Sequence, residues 1–194
     1  YSYGLIPSVL MGIDQLPSDL NKISPVGTIF TSMFMHGGWM HLIGNMLYLW
    51  IFADNIEENL GKLNFITFYL LTGGFAALSQ ALLDTNSITP MIGASGAIAG
   101  VLGAYLVLFP KAKIKVFFWF IIIFKIFKIR AFIVLGGWIL MQFLSYSGDD
   151  LNSGGVAYAA HIGGFISGIV LINFMKNKTG IKHKPSRSSI PNSK

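Results

Sequence analysis

The sequence predicts an all-α polytopic membrane protein, a helical bundle of five membrane spans. Three observations carry this expectation. Of 194 residues, 53% are hydrophobic and only 11% charged, well below the roughly one-quarter that soluble domains carry. Long uncharged runs approach the roughly 20 apolar residues that a spanning helix needs, because each backbone polar group must be satisfied within the helix. Finally, the basic residues fall on alternate connections. With residues 1–38 outside and one crossing per span, 13 of the 14 Lys and Arg lie on the inner side and only Lys22 outside. The positive-inside rule is thereby met.

Each element follows in order. Residues 1–38 are rich in turn formers, among them Pro7, Gly12, Pro17, Pro25, Gly37 and Gly38, with a short amphipathic piece over Leu5–Met11. They are expected to form a loop region on the outer face. Trp39–Ala53 is the first helix, ended by the polar run Asp54 to Glu58 and Gly61. Leu63–Leu83 is the second span. Met91–Pro110 is the third, dense in Gly and Ala, whose small side chains let neighbouring helices approach closely in lipid. Val116–Phe124 is too short to cross. Bracketed by Lys111, Lys113 and Lys115 and by Lys125, Lys128 and Arg130, it fits an interfacial or re-entrant hairpin. Ala131–Tyr146, with a possible extension back through Ile129, is the fourth span and Val156–Met175 the fifth. Residues 1–176 thus form one membrane domain, 39–176 being its helical bundle. Residues 177–194 are a basic, Ser/Pro-rich, disordered cytoplasmic tail.

Composition also excludes classes. The chain has no Cys, hence no disulfide framework, thiolate nucleophile or Cys-ligated metal. The net charge of +6 lies beside hydrophobic segments, so it reads as membrane topology rather than nucleic-acid binding. Residues 1–35 lack the charged start and apolar core of a signal peptide. The chain begins with Tyr1, and an upstream portion is expected to have been removed or omitted.

Polar residues inside the spans mark function. Ser95 lies in Gly93-Ala94-Ser95-Gly96, His161 near the start of the last span, and His41 and Asn45 one turn apart on the first helix. At about 1.5 Å per residue, Ser95 sits roughly 6 Å below Met91 and His161 roughly 7–8 Å below Val156. Alone, a membrane serine usually bonds its own helix backbone, and a buried histidine usually joins helices. Matched depth on three helices favours a joint site. Serine is a weak nucleophile that needs an adjacent base, and histidine suits that role near neutral pH. An oxyanion would need fixed donors, available from the Asn45 NH₂, a His41 ring N–H and the Ser95 amide. No acidic residue lies within these spans, so a Ser–His dyad is favoured over a triad, with Asp84, Asp149 and Asp150 left as loop candidates.

These residues resemble those of the rhomboid intramembrane serine proteases: His36-x4-His41-x3-Asn45, Gly93-Ala94-Ser95-Gly96, and Ala160-His161-x2-Gly164-x3-Gly168, with Glu57 and Gly61 at the inner end of the first helix. The resemblance covers about residues 4–176. It implies a rhomboid-like bundle with five of the usual six transmembrane helices, the first being absent. It also implies Ser95 as nucleophile, His161 as general base, and His41, Asn45 and the Ser95 amide as oxyanion hole. His36, Gly93 and Gly96 are structural near the site, and Gly164 and Gly168 let the last helix approach the serine helix. Substrates would be transmembrane proteins cut near the outer face, with no metal and no cofactor. A bacterial-type enzyme in the cytoplasmic (inner) membrane, with its C-terminus cytoplasmic, is expected. Ala99 stands where some members stack a tyrosine on the histidine, so another group must hold His161. Three other readings remain: a non-catalytic membrane-protein binder on the same scaffold, a polar-path transporter and a zinc protease. The last lacks His-Glu-x-x-His.

Overall fold

The computed structural model describes residues 1–120, 123–148 and 156–179. Two short helices, α1 (Pro7–Leu10) and α2 (Thr28–Thr31), precede the bundle, the second running into a 3₁₀ turn at Ser32–Phe34. The bundle comprises α3 (Trp39–Leu60), α4 (Lys62–Leu83), α5 (Ser95–Leu108), α6 (Ala131–Gly148) and α7 (Tyr158–Thr179). Between α5 and α6 stands an antiparallel hairpin of β1 (Lys113–Phe120) and β2 (Ile123–Arg130). The hairpin expected from sequence is thus made of strands, the one departure from an otherwise helical bundle among the described residues.

α5 is the axle of the fold. Its residues are apolar on every side, as expected of a helix enclosed by others, and Ala97 to Ala104 are all buried. α7 and α4 pack most closely on it, and α3 and α6 complete the ring. Contact depends on missing side chains. A methyl on Gly164 or Gly168 would overlap the carbonyls of Gly96 and Gly100, and one on Gly103 the carbonyl of Phe165. Backbones meet directly where side chains would otherwise hold the helices apart. Toward the inner end, Phe52 and Tyr105 meet edge to face at 5.0 Å, and Ile56, Leu60, Leu135 and Ile172 close the core.

Outside that core the surface is oily. Trp50, Leu63, Leu82, Leu140 and Phe174 are all exposed, a contiguous apolar exterior that suits lipid rather than water. By length and composition, Lys62–Leu83 and Tyr158–Lys176 qualify as spans, whereas Ser95–Leu108 and Ala131–Ser147 are shorter apolar helices.

Several expected boundaries move. α3 does not stop at Ala53 but continues to Leu60, because Ile56 and Leu60, one turn apart, extend its buried stripe. Gly61, at φ 79°, then turns the chain directly into α4. α5 starts at Ser95 rather than Met91. Its 14 residues rise only about 21 Å, short of the roughly 30 Å hydrocarbon core of a bilayer. Ile129 lies in β2, so α6 has no extension before Ala131. α7 starts at Tyr158 instead of Val156 and runs to Thr179, beyond the expected end at Met175 and across the 176/177 domain boundary. Of the expected tail, residues 180–194 lie outside the described residues, as do Asp149 and Asp150.

Candidate active site

Residues 91–94 decide how Ser95 is presented. Met91 pairs with Leu5 through two backbone hydrogen bonds of 2.7 and 3.0 Å, and the Gly93 N–H donates to the Ser32 carbonyl at 2.9 Å. The region N-terminal to the bundle therefore braces this strand from two sides. Gly93 adopts φ 123°, a conformation that a side chain would strain. A Cβ there would also lie 2.7 Å from His41 Nε2. The turn then releases the chain into α5, and Ser95 is its first residue. Ala94 offers no side-chain cap, and the first N–H of this helix to find a partner is that of Ile98, on the Ala94 carbonyl at 3.0 Å. The Ser95 amide therefore points out of the helical ladder at the positive end of the dipole. The sequence reading placed Ser95 one turn inside a longer helix; the structure places it at the mouth of a shorter one.

His161 is set by a separate device. The Ala160 N–H, in the first turn of α7, donates to Gln80 Oε1 of α4 at 3.2 Å. This holds the helix start while the glycines Gly164 and Gly168 seat α7 on α5. The result is a 2.8 Å separation between Ser95 Oγ and His161 Nε2. Ser95 is half-buried and His161 is 8% exposed. Cavities of about 470 and 290 Å³ flank it, and both are lined by Ser95, His161 and His41.

The other expected residues gather on the α3 side. His41 Nδ1 faces the Gly37 N–H at 3.5 Å, an arrangement that favours the proton on Nε2, the nitrogen directed toward Gly93. Asn45 is buried, and its Nδ2 makes no hydrogen bond. It lies 3.7 Å from where a Cβ of Gly93 would be. An unspent buried donor costs stability, and a developing oxyanion could use it. His36 stacks edge to face on His41, with ring centroids 5.1 Å apart. Burial, and then the neighbouring His41, hold the His36 imidazole below its ordinary value of 6.5, against a smaller opposing pull from the Phe34 backbone. Gly96 packs on Ala76.

Two contributors escaped the sequence reading. Gln142 Oε1 of α6 lies 2.8 Å from His161 Nδ1, the position for which loop aspartates were considered. The Trp138 ring lies 5.8 Å from the His161 ring, tilted by 37°. It shares a cavity wall with Ala99, so the indole supports the imidazole where Ala99 provides no ring. Both residues sit one turn apart on α6. Gln142 is the one amide in that apolar span, a signal the sequence reading passed over, whereas nothing in composition separates Trp138 from lipid-facing neighbours.

Comparison with known proteins identifies the family. A rhomboid domain model matches residues 25–178. Rhomboid protein 1, mitochondrial, of Saccharomyces cerevisiae is 35% identical over 159 residues, which cover 77% of this chain and 41% of that protein. Presenilin-associated rhomboid-like protein A, mitochondrial, of Danio rerio is 28% identical over 156 residues, covering 79% of this chain and 39% of its own. Rhomboid-like protein 11, chloroplastic, of Arabidopsis thaliana is 28% identical over 155 residues, covering 73% and 50%. The chain spans half the length or less of these curated relatives. Their names are mitochondrial and chloroplastic, which gives no support to the expected bacterial inner membrane. The rhomboid domain match over residues 25–178 places this chain, an integral-membrane helical bundle, in the rhomboid family.

Proposed function

We propose that this protein is an intramembrane serine endopeptidase that cuts peptide bonds in or near transmembrane segments of other membrane proteins. The observation that carries the reading is the 2.8 Å approach of Ser95 Oγ to His161 Nε2 within a membrane bundle. In this mechanism His161 removes the hydroxyl proton as Ser95 attacks the scissile carbonyl, and then returns it to the leaving amine. The oxyanion forms at the mouth of α5, where the Ser95 amide, Asn45 Nδ2 and His41 Nε2 converge as donors; each such donor contributes about 10²–10³ in kcat. His36 supports His41, and Gly93 and Gly96 keep the turn and the helix contact free of side chains. The membrane domain of residues 1–176 would carry the whole site near the outer face, with the C-terminal segment on the cytoplasmic side.

The test is cleavage of a transmembrane substrate in proteoliposomes. Ser95→Ala and His161→Ala should each abolish turnover while leaving thermal unfolding unchanged. A fluorophosphonate should label Ser95 in the wild type alone. Full turnover by Ser95→Ala would overturn the mechanism.

A further inference from the structure

We infer that Gln142 is the positioning residue of the site, selecting the His161 tautomer that can act as a base. The inference rests on the Ser95–His161 reading above. The two ends of the Gln142 amide have different neighbours. Its Nε2 faces the Trp138 carbonyl at 3.4 Å, where only an N–H can donate. Its Oε1 then faces His161 Nδ1 at 2.8 Å, and an oxygen there can only accept. Nδ1 must therefore carry the proton of the neutral ring, which leaves Nε2 as a lone pair 2.8 Å from Ser95 Oγ. The opposite tautomer would turn an N–H toward Ser95 Oγ, leaving no base there, and set the Gln142 carbonyl against a bare lone pair on Nδ1. A histidine base is regularly oriented through its second nitrogen. Here the orienting group is neutral, so it selects the tautomer without burying a second charge within the membrane domain. Gln142 touches no reacting atom; it acts through His161.

The experiment reads tautomer and turnover separately. ¹⁵N-histidine NMR of the full chain in lipid nanodiscs should show His161 protonated at Nδ1. Gln142→Met keeps length and removes the acceptor. It should mix the tautomers and lower kcat by about 10²-fold with KM unchanged. Gln142→Glu restores an acceptor and should recover the Nδ1–H tautomer. A wild-type His161 protonated at Nε2 would overturn the proposal even if no variant folds. So would a Gln142→Met protein with unaltered tautomer, whether its kcat is normal or its melting temperature has merely fallen. Turnover by Ser95→Ala would instead sink the protease reading, and leaves the tautomer result standing.

A different observation carries a second inference at the opposite end of the bundle. In the hairpin register Lys113 opposes Arg130, Lys115 opposes Lys128, and Phe117 opposes Ile126. Alternation along the pleat puts these six residues and Phe124 on one face. Those seven residues are all exposed, with the Phe117 and Phe124 rings stacked at 6.1 Å. The other face turns Ile114 to the core. Like charges directly opposite one another destabilise a strand pair, and residues 113–130 contain no acid to offset them. The geometry points to anionic lipid headgroups as the partner: cations nearest the bundle at headgroup level, and the aromatic and aliphatic side chains beyond them dipping into the acyl boundary. A second copy of this hairpin would bring four more cations to the same face, which disfavours it.

Because the chain has no Cys, a Phe117→Cys protein carries a single site for an environment-sensitive fluorophore. In vesicles of phosphatidylcholine with phosphatidylglycerol the emission should shift to the blue and be quenched by spin-labelled acyl chains. The shift should be lost in phosphatidylcholine alone, at high salt, and when Lys113, Lys115, Lys128 and Arg130 are all replaced by Gln. Equal emission in both vesicles would overturn the proposal, as would energy transfer between labels on two copies that rises with protein density in both.

Discussion

Gly168→Ala should both destabilise the bundle and misplace the base. The new methyl would overlap the Gly100 carbonyl oxygen and lie 2.6 Å from the carbonyl carbon and Cα, where ordinary contact begins at 3.4 Å. The obstacle is helix backbone, which cannot swing aside as a side chain can. α5 and α7 must therefore part by at least about 0.8 Å, the difference between those two distances, since the oxygen lies closer still. Carried to the level of the site, this opens the 2.8 Å Ser95–His161 contact to about 3.6 Å or more, beyond hydrogen-bond reach. Overpacking of this kind costs about 1–3 kcal/mol, and a misplacement near 1 Å about 10²-fold in turnover. Thermal unfolding in detergent micelles measures the first and kcat on a reconstituted transmembrane substrate the second. The control is Gly136→Ala in α6, where a Cβ meets nothing within 4 Å. It should be neutral or gain up to about 1 kcal/mol from helix propensity. A Gly168→Ala protein with wild-type stability and kcat would refute the claim that direct backbone contact sets the site's geometry.

Asn45→Ala should lower kcat about 10²–10³-fold with little change in KM, read by steady-state kinetics; an equal rise in KM at constant kcat would assign Asn45 to substrate binding. Gly93→Ala combines strain at φ 123° with an encounter with His41 Nε2 at 2.7 Å, so it should lose most activity while circular dichroism stays helical. Gln80→Ala removes the acceptor that holds the Ala160 N–H and should cost about 1 kcal/mol in melting experiments. Stability should also depend on pH through His36. Its depressed native value means the unfolded chain binds the extra proton, so the native state is favoured above 6.5 and loses stability as pH falls below it. His36→Phe should flatten that slope.

Much of the bundle could be read from the chain because membranes impose strong local rules. A run such as Leu63–Leu83 has few alternatives to a helix in lipid, and α4 covers it almost residue for residue. The pairing of Ser95 with His161 was also legible, since both stand near the start of spans entering from one face. Errors fell where a boundary depends on distant parts of the chain. The polar run Asp54–Glu58 reads as a terminator, yet Ile56 and Leu60 gain a core partner only in three dimensions, and the helix goes on. Met91–Ala94 reads as apolar helix, yet backbone bonds to Leu5 and Ser32 draw it out as a braced turn.

The sequence by itself determined a helical membrane protein of the rhomboid family and singled out Ser95 and His161 as the candidate pair. Those follow from composition, spacing and charge, which act over a few residues or along a whole span. Only the tertiary structure decided where Ser95 emerges and what stands behind His161. Gln142 and Trp138 reach His161 from 19 and 23 positions away in sequence; the lone amide marks Gln142 as unusual in its span, but nothing local says which helix it faces. Helix packing brings them there because Gly164 and Gly168 let α7 seat fully on α5. Contacts made by such close approach leave no periodic trace for a sequence to show.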